Sequence, residues 1–522
     1  MSQSFIKGAL IITIATMLSK VLGSVFRIPL QNIAGDEVLG IFTIVYPVYM
    51  SVLILSVAGI PLAISKLISE ARVHQNTEHI RNIFVTASIL AFAFGIFSFA
   101  LMFGFAEQIA MFLGGSYAVY SIMIVSITLL VAPYMAVYRG FFQGFGNMTP
   151  TAFSQVLEQL VRVGLILIVA WVLTRQFATD EVVAGGVMIG SSIGALASLT
   201  YLRFVFMKSG LKPRSEQKYS LEAFIVWTKK ILKLSIPICI GALTMALLNM
   251  VDSLTVPLQL GSIGHSEDEV KYMYGIYGRG LALVQIAVVF ASALILPLIP
   301  AITAELAKGN IGKTREIIEK GNRFTNLTAW PAAVGLFALT LPLNLALFTN
   351  VEGSDIIAIL VISALFTSFS VLTTGMLQGM NKVNQAAIIV VVCAVVKVVL
   401  NIILVQQFGL VGAAWSTLLT YMLLTALNLF VMYRTIPFKV VQRPDVVFAV
   451  SSIVMGLVIF VPLQFVDVAS WTRLLGLVYV IAMIGVGIIV YGICIYLLKG
   501  ISKEELQSFP VVGKFIKRKE TT

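Results

Sequence analysis

The chain has 522 residues, of which 59% are hydrophobic and only 11% charged. A water-soluble protein of that length cannot hide so much apolar surface, which excludes the soluble enzyme and binding-module classes. Lysine and arginine outnumber aspartate and glutamate by 36 to 24, and the placement of that surplus follows membrane topology, with no sign of a nucleic-acid partner.

In chain order, runs of about 18 or more mostly apolar residues predict a membrane-spanning helix each. They fall at roughly 8–30, 38–64, 82–104, 117–138, 152–174, 184–206, 234–258, 272–302, 325–347, 356–378, 385–407, 411–432, 446–466 and 474–497. The expected fold is therefore all-α and polytopic, with about 14 transmembrane helices. The first run is too long for the core of a signal peptide and lacks a cleavage motif, so it is read as a span. With the N-terminus in the cytoplasm, 27 basic residues fall in cytoplasmic segments, 3 in external loops and 6 within spans. That asymmetry places both termini in the cytoplasm. Trp171, Trp415 and Trp471 fall at outer span ends, where an interfacial aromatic belt belongs.

Residues 207–233 form the longest hydrophilic connection and carry Lys208, Lys212, Arg214, Lys218, Lys229, Lys230 and Lys233. They divide the chain into an N-terminal six-helix lobe (1–208), a cytoplasmic linker (209–233) and a C-terminal six-helix lobe (234–434). Residues 435–522 add helices 13 and 14 and a basic cytoplasmic tail. The two lobes repeat one another. Gly140, Gln143 and Gly144 map onto Gly375, Gln378 and Gly379 at an offset of 235, as do Gly40 onto Gly275 and Arg162 onto Lys397. Six spans separate equivalent positions, so the repeats run parallel, about an axis along the membrane normal. Such folds bind substrate between the repeats, here between spans 1, 2, 7 and 8. Each Gly-x-x-x-Gly reads either as a tight helix crossing or as a flexible helix end.

Eight ionisable residues fall within spans: Lys20, Arg27, Glu158, Arg162, Arg203, Asp252, Arg279 and Lys397. Each must face protein or water, because a charge exposed to lipid at the bilayer centre costs about 2.5–3.5 kcal/mol or more. Six are basic and two acidic, and a site lined by surplus cations suits an anion. Lys20, Arg27, Arg279 and Lys397 are the candidate substrate-binding residues. Lys20 and Arg27 are seven apart, about 20° around one helix and about 10 Å along it. Interfacial anchoring is the plainer alternative for Arg27 and Arg279, and snorkelling for Lys20 and Arg203. Glu158 and Arg162, spaced i, i+4, are either an intrahelical ion pair or one that opens in the transport cycle. Cys393 stands where Lys397 would need its own acid. Asp252, with Asn249 beside it, is the candidate for a coupling ion, Na⁺ or a proton, or else a hydrogen-bonding residue. Asp36-Glu37, Asp180-Glu181 and Glu267-Asp268-Glu269 read as solvated loop acids. The histidines lie in loops, and neither they nor Cys239, Cys393 and Cys494 have metal-ligand spacing. With no catalytic constellation, cofactor motif or nucleotide loop, energy must come from an ion gradient or the membrane potential.

The segments S-K-V-L-G-S-V-F-R (19–27), G-I-P-L-A-I-S-K (59–66), R-G-F-F-Q-G-F-G-N (139–147) and T-G-M-L-Q-G-M-N-K (374–382) resemble the polysaccharide-transporter branch of the MOP flippase superfamily. The likeness is to its stage V sporulation protein B group, related to the MurJ lipid II flippases. The resemblance implies a MATE-like fold around a cationic cavity, in a bacterial plasma membrane. It implies a lipid-linked saccharide pyrophosphate as substrate, moved from the inner to the outer leaflet, with cell-wall or polysaccharide-synthesis enzymes as neighbours. Lys20 matches a basic position of the family in the first helix, Arg27 matches another within one residue, and Arg279 resembles a basic position in helix 8. Residues 38–64 carry no basic residue, where MurJ proteins carry further positive charge. The resemblance also implies that helices 13 and 14 shape a groove for the lipid tail. A multidrug cation antiporter of the same fold is the first alternative, and a membrane-embedded glycosyltransferase the second.

Overall fold

The structure is a computed structural model and describes residues 3–57, 59–211 and 219–501. Part of the linker, with Lys212, Arg214 and Lys218, and the basic tail from 502 lie outside the described residues. Among the described residues the regular structure is entirely helical. In chain order the helices are α1 (Gln3–Val25), α2 (Arg27–Val57), α3 (Ile60–Val73), α4 (Thr77–Gly104), α5 (Ala106–Phe112) and α6 (Val119–Ser126). Then come α7 (Thr128–Gly144), α8 (Thr149–Arg175), α9 (Asp180–Lys208), α10 (Leu221–Ala242), α11 (Thr244–Ser262) and α12 (Glu267–Ala307). The remainder are α13 (Ile311–Ala338), α14 (Thr340–Phe348), α15 (Ser354–Gly379), α16 (Val383–Thr435), α17 (Arg443–Phe460) and α18 (Arg473–Leu497).

Among the described residues, ten helical runs are long and apolar enough to cross a bilayer, or eleven if the bent pair α13–α14 counts as one crossing. The fourteen predicted spans do not appear as fourteen separate helices. Spans 1 and 2 share the 63-residue run Ile11–Val73, and spans 11 and 12 share the 53-residue run Val383–Thr435, whereas about 20 residues suffice for one crossing. Between predicted spans 1 and 2, and between spans 11 and 12, a glycine takes up a change of direction. Gly35 has φ 87° and Gly409 has φ 57°, left-handed values that glycine adopts without a Cβ clash. Helical hydrogen bonding resumes on either side, so no loop separates the predicted spans.

Packing groups the chain into two compact units, residues 1–282 with 382–420, and residues 283–381 with 421–522. This is a division by contact, whereas the lobes above divide the sequence by repeat; α12 and α16 contribute to both units. In the first unit α7 crosses α3 closely. A Cβ added to Gly140 would lie 2.8 Å from the Pro61 carbonyl oxygen, and one on Gly144 would lie 2.7 Å from Ile68 Cβ. The Gly-x-x-x-Gly there is thus a tight crossing. Ser69 Oγ closes it by donating to the Gly144 carbonyl at 3.0 Å. In the second unit Thr303 Oγ1 donates to the Gly379 carbonyl at 2.9 Å, where Gly379 rests on Ile299 and Ile302 of α12. The repeat seen in sequence recurs as the same contact.

Helices α17 and α18, which have no counterpart in the repeat, pack on α13 and α14 through Ala338, Leu343, Met455, Ile459 and Val480. The outer face of α18 exposes Ile481, Ile488, Ile489 and Leu497, as a helix face turned to lipid does.

The α3–α7 crossing makes a stability prediction. Gly140→Ala drives a methyl group against the Pro61 backbone and should cost about 1–3 kcal/mol. Gly492→Ala, on α18 with nothing within 4 Å of the added carbon, should be neutral or stabilising by up to about 1 kcal/mol. Thermal unfolding of the detergent-purified protein distinguishes them. An unfolding temperature for Gly140→Ala at or above that of Gly492→Ala would contradict the crossing.

Candidate functional site

The first unit holds most of the charged residues that the sequence places in spans, and they sort by what each one faces. The first cluster is built on α8. Glu158 and Arg162 lie one turn apart, and Arg162 Nη2 donates to Glu158 Oε1 at 2.7 Å. Arg139, near the C-terminal end of α7, adds a second cation: its Nη2 donates to Glu158 Oε2 at 2.8 Å and its Nε to Ser154 Oγ at 3.0 Å. Close approach of α9 seals the group. A Cβ on Gly190 would lie 2.8 Å from the Arg162 carbonyl oxygen, and one on Gly194 2.8 Å from that of Glu158. Two guanidiniums share one carboxylate, so the cluster keeps a net positive charge. Sequence spacing shows the i, i+4 pair but not Arg139, which lies 19 residues from Glu158.

The second cluster joins α2 to α12. Arg279 is fully buried. Its Nε donates to Asp36 Oδ1 at 2.7 Å, and its Nη2 pairs with Asp36 Oδ2 in a bidentate clasp. Gln31 Nε2 donates to the same Oδ2 at 3.0 Å. Asp36 was expected in a solvated external loop; it is only 5% exposed, because the turn at Gly35 returns the chain to helix one residue earlier. The two helices touch backbone to backbone here. A Cβ on Gly40 would run into the Lys271 carbonyl oxygen, and one on Gly275 into that of Asp36.

The third cluster centres on Asp252 of α11, 1% exposed. Lys397, for which its own helix offers no acid, donates from Nζ to Asp252 Oδ2 at 2.7 Å. Tyr277 Oη and Thr417 Oγ1 lie 3.0 and 3.3 Å from the same oxygen, and Asn401 Nδ2 donates to Oδ1 at 3.0 Å. The expectation that Lys397 is unpaired is thus corrected: its partner sits 145 residues away, beyond any local pattern. Asn249, expected beside Asp252, is half-buried and makes no side-chain hydrogen bond to Asp252 among the described residues. Asn401 takes that place.

Two cations remain. Arg27 opens α2, just after Phe26 interrupts the helix, so Lys20 and Arg27 belong to two helices joined at a local break. Arg27 is 4% exposed, and its Nε and Nη1 have no hydrogen-bond partner among the described residues. Its electrostatic neighbour is Tyr46, one turn below Phe42 and stacked on it at 5.0 Å. Tyr46 also neighbours Arg162, which links Arg27 to the net-positive α8 cluster. Lys20 is exposed, and its carbonyl accepts from Ser24 Oγ at 2.8 Å. Arg203, near the C-terminal end of α9, is exposed as a snorkelling residue would be. The geometry thus divides the candidates. Arg162, Arg279 and Lys397 face carboxylates, while Arg27 and Lys20 form no ion pair among the described residues.

Comparison with known proteins gives the same class. The lipid II flippase MurJ of Bacillus subtilis is 27% identical, over 88% of each chain. Stage V sporulation protein B of the same organism is 25% identical, over 99% of each chain. Among solved structures, the inward-facing conformation of a multidrug resistance MATE family transporter of the MOP superfamily matches with a TM-score of 0.66 at 16% identity. That match covers 82% of this chain and 98% of the other. At that identity the likeness shows the fold alone, and the fold is MATE-like. MurJ and the MATE protein are transport proteins, not enzymes. A family model described as polysaccharide biosynthesis protein matches residues 5–305. With more than half of its length matched, the chain belongs to the polysaccharide biosynthesis protein family, as a multi-span membrane transport protein.

Proposed function

We propose that this protein is a flippase. It would carry an anionic lipid-linked saccharide of the undecaprenyl-pyrophosphate type from the inner to the outer leaflet of a bacterial plasma membrane by alternating access. The observation that carries the reading is the buried Arg27, two of whose guanidinium nitrogens have no partner among the described residues. A charge so placed is costly unless something answers it, and a pyrophosphate would. A guanidinium grips phosphate oxygens through two parallel hydrogen bonds, whereas an ammonium acts as a point charge. Lys20 supplies the second contact, and the net charge of the Arg139–Glu158–Arg162 cluster makes the surroundings positive. The relative named lipid II flippase supports the substrate class. The 27 to 3 distribution of basic residues supports cytoplasmic termini.

A cation antiporter would need an acid free to meet a cationic drug. Glu158, Asp36 and Asp252 are each held by a basic side chain, which disfavours that alternative. The same pairings assign Arg279 and Lys397 to holding helices together, with coupling to an ion gradient or the membrane potential supplying the drive.

Two predictions follow from this division. Each charge-assisted hydrogen bond to the pyrophosphate contributes about 1.5–3 kcal/mol, so Arg27→Ala or Lys20→Ala should slow transport by about 10- to 150-fold. In a depletion strain the double variant should fail to restore growth at normal membrane abundance, and the lipid-linked precursor should accumulate on the cytoplasmic side. Arg27→Lys should recover part of the function. Full growth of the double variant would remove both residues from the substrate site.

The second concerns the clasp. Asp36→Ala strands a buried guanidinium and should cost about 3–5 kcal/mol, while the apolar pair Asp36→Leu/Arg279→Met should recover most of it. Unfolding temperatures of the single and double variants form the cycle. A double variant no more stable than Asp36→Ala would rule out simple charge compensation.

A further inference from the structure

The Asp252 cluster has a donor set unlike the other two. The Asp36 and Glu158 clusters answer carboxylates with guanidiniums. Around Asp252 stand one ammonium and a shell of oxygen-bearing side chains: Thr255 on α11, Tyr277 on α12, and Asn401 and Thr417 on α16. Tyr277 Oη and Thr417 Oγ1 lie 2.7 Å from one another, and the amide of Asn401 also donates to Thr255 Oγ1 at 2.7 Å. Asn401 Oδ1 is buried and has no hydrogen-bond partner among the described residues. One carboxylate with hydroxyl oxygens and an amide whose oxygen is unspent, and no imidazole or thiol, is the donor chemistry a hard cation takes. A single negative charge suits a monovalent one.

We propose that the Lys397 ammonium is a tethered cation that fills an Na⁺-type site at Asp252, so that this protein neither takes up nor releases Na⁺ there. Lys397 is fully buried, and its Nζ lies 2.7 Å from the carboxylate. The four-carbon stem delivers a compact monovalent charge to the carboxylate around which those side chains gather. An apolar replacement of a buried ion pair is often neutral or stabilising, so a lysine–aspartate pair held in an otherwise oxygen-lined shell points to a requirement for a cation at that place. The turn at Gly409 lies between Asn401 and Thr417 and brings residues from both segments of α16 onto one carboxylate. A dissociable ion would leave this junction loose whenever it departed; a covalently held one cannot depart. Removing the side chain should open the site to a free ion, while the carboxylate and the other oxygens stay in place.

The test measures thermal unfolding of the full-length detergent-purified protein in NaCl, KCl and choline chloride at equal ionic strength. It reads no transport and is independent of the lipid-linked substrate. The unaltered protein should unfold at the same temperature in all three salts. Lys397→Ala should unfold earlier in choline chloride and be raised by at least about 3 °C in NaCl, in a saturable manner. Lys397→Ala/Asp252→Asn should lose that response. Should Lys397→Ala fold only when purified in NaCl, that selective recovery also supports the site. An unaltered protein stabilised by Na⁺ through Asp252, judged by loss of the effect in Asp252→Asn, overturns the proposal. So does a Lys397→Ala protein that is indifferent to Na⁺, or that fails to fold in every salt.

Discussion

Hydrocarbon offers a charged side chain nothing to bond to, and this one constraint organises the first unit of the structure. Each ionised group within the spans has to be met by an opposite charge, by hydrogen bonds or by water. Glu158, Asp36 and Asp252 meet that requirement in three different ways: a carboxylate shared by two arginines, a bidentate clasp, and an ammonium in an oxygen shell. The helices that carry them are fixed by these meetings as much as by apolar packing. Apolar side chains gain little by leaving lipid for one another. Arg27 matters because it stands outside this scheme.

Close backbone approach makes the meetings possible. Short side chains such as that of Asp36 reach a partner helix only when the helices nearly touch, and glycine is what lets them touch. Gly40 and Gly275 do so beside the Asp36–Arg279 clasp, and Gly190 and Gly194 do so beside Glu158 and Arg162. Charge compensation and small-residue crossings are thus one arrangement. Lengthening the glycine side chain and removing the acid should disturb the same junction by different routes.

Much of this was legible in the sequence where the signal is local. Apolar runs revealed the helical class, and i, i+4 spacing revealed the Glu158–Arg162 pair. The internal repeat was visible because matching glycines mark matching crossings, and the Ser69–Gly144 and Thr303–Gly379 hydrogen bonds bear it out. Partners distant in sequence stayed hidden. Asp252 and Lys397 are 145 residues apart, and Asp36 and Arg279 are 243 apart. Asp36 was misread for a specific reason: Gly and Asp together look like a turn, yet here one glycine in a left-handed conformation bends the helix and the aspartate is buried. Predicted spans run together at the same kind of place, because a glycine can redirect a helix without an intervening loop.

The sorting of cations has an electrical consequence. Moving one elementary charge through a membrane potential of 100 mV involves about 2.3 kcal/mol of work. A lysine carried together with its aspartate moves no net charge, so the field does no net work on the Asp252–Lys397 pair or the Asp36–Arg279 pair however their helices shift. Among the described residues Arg27 and Lys20 have no such companion. An anion bound to them would cancel their charge, and its release would restore it. Empty and loaded forms of this unit would then be pulled by the membrane potential to different extents, with two side chains setting most of the difference.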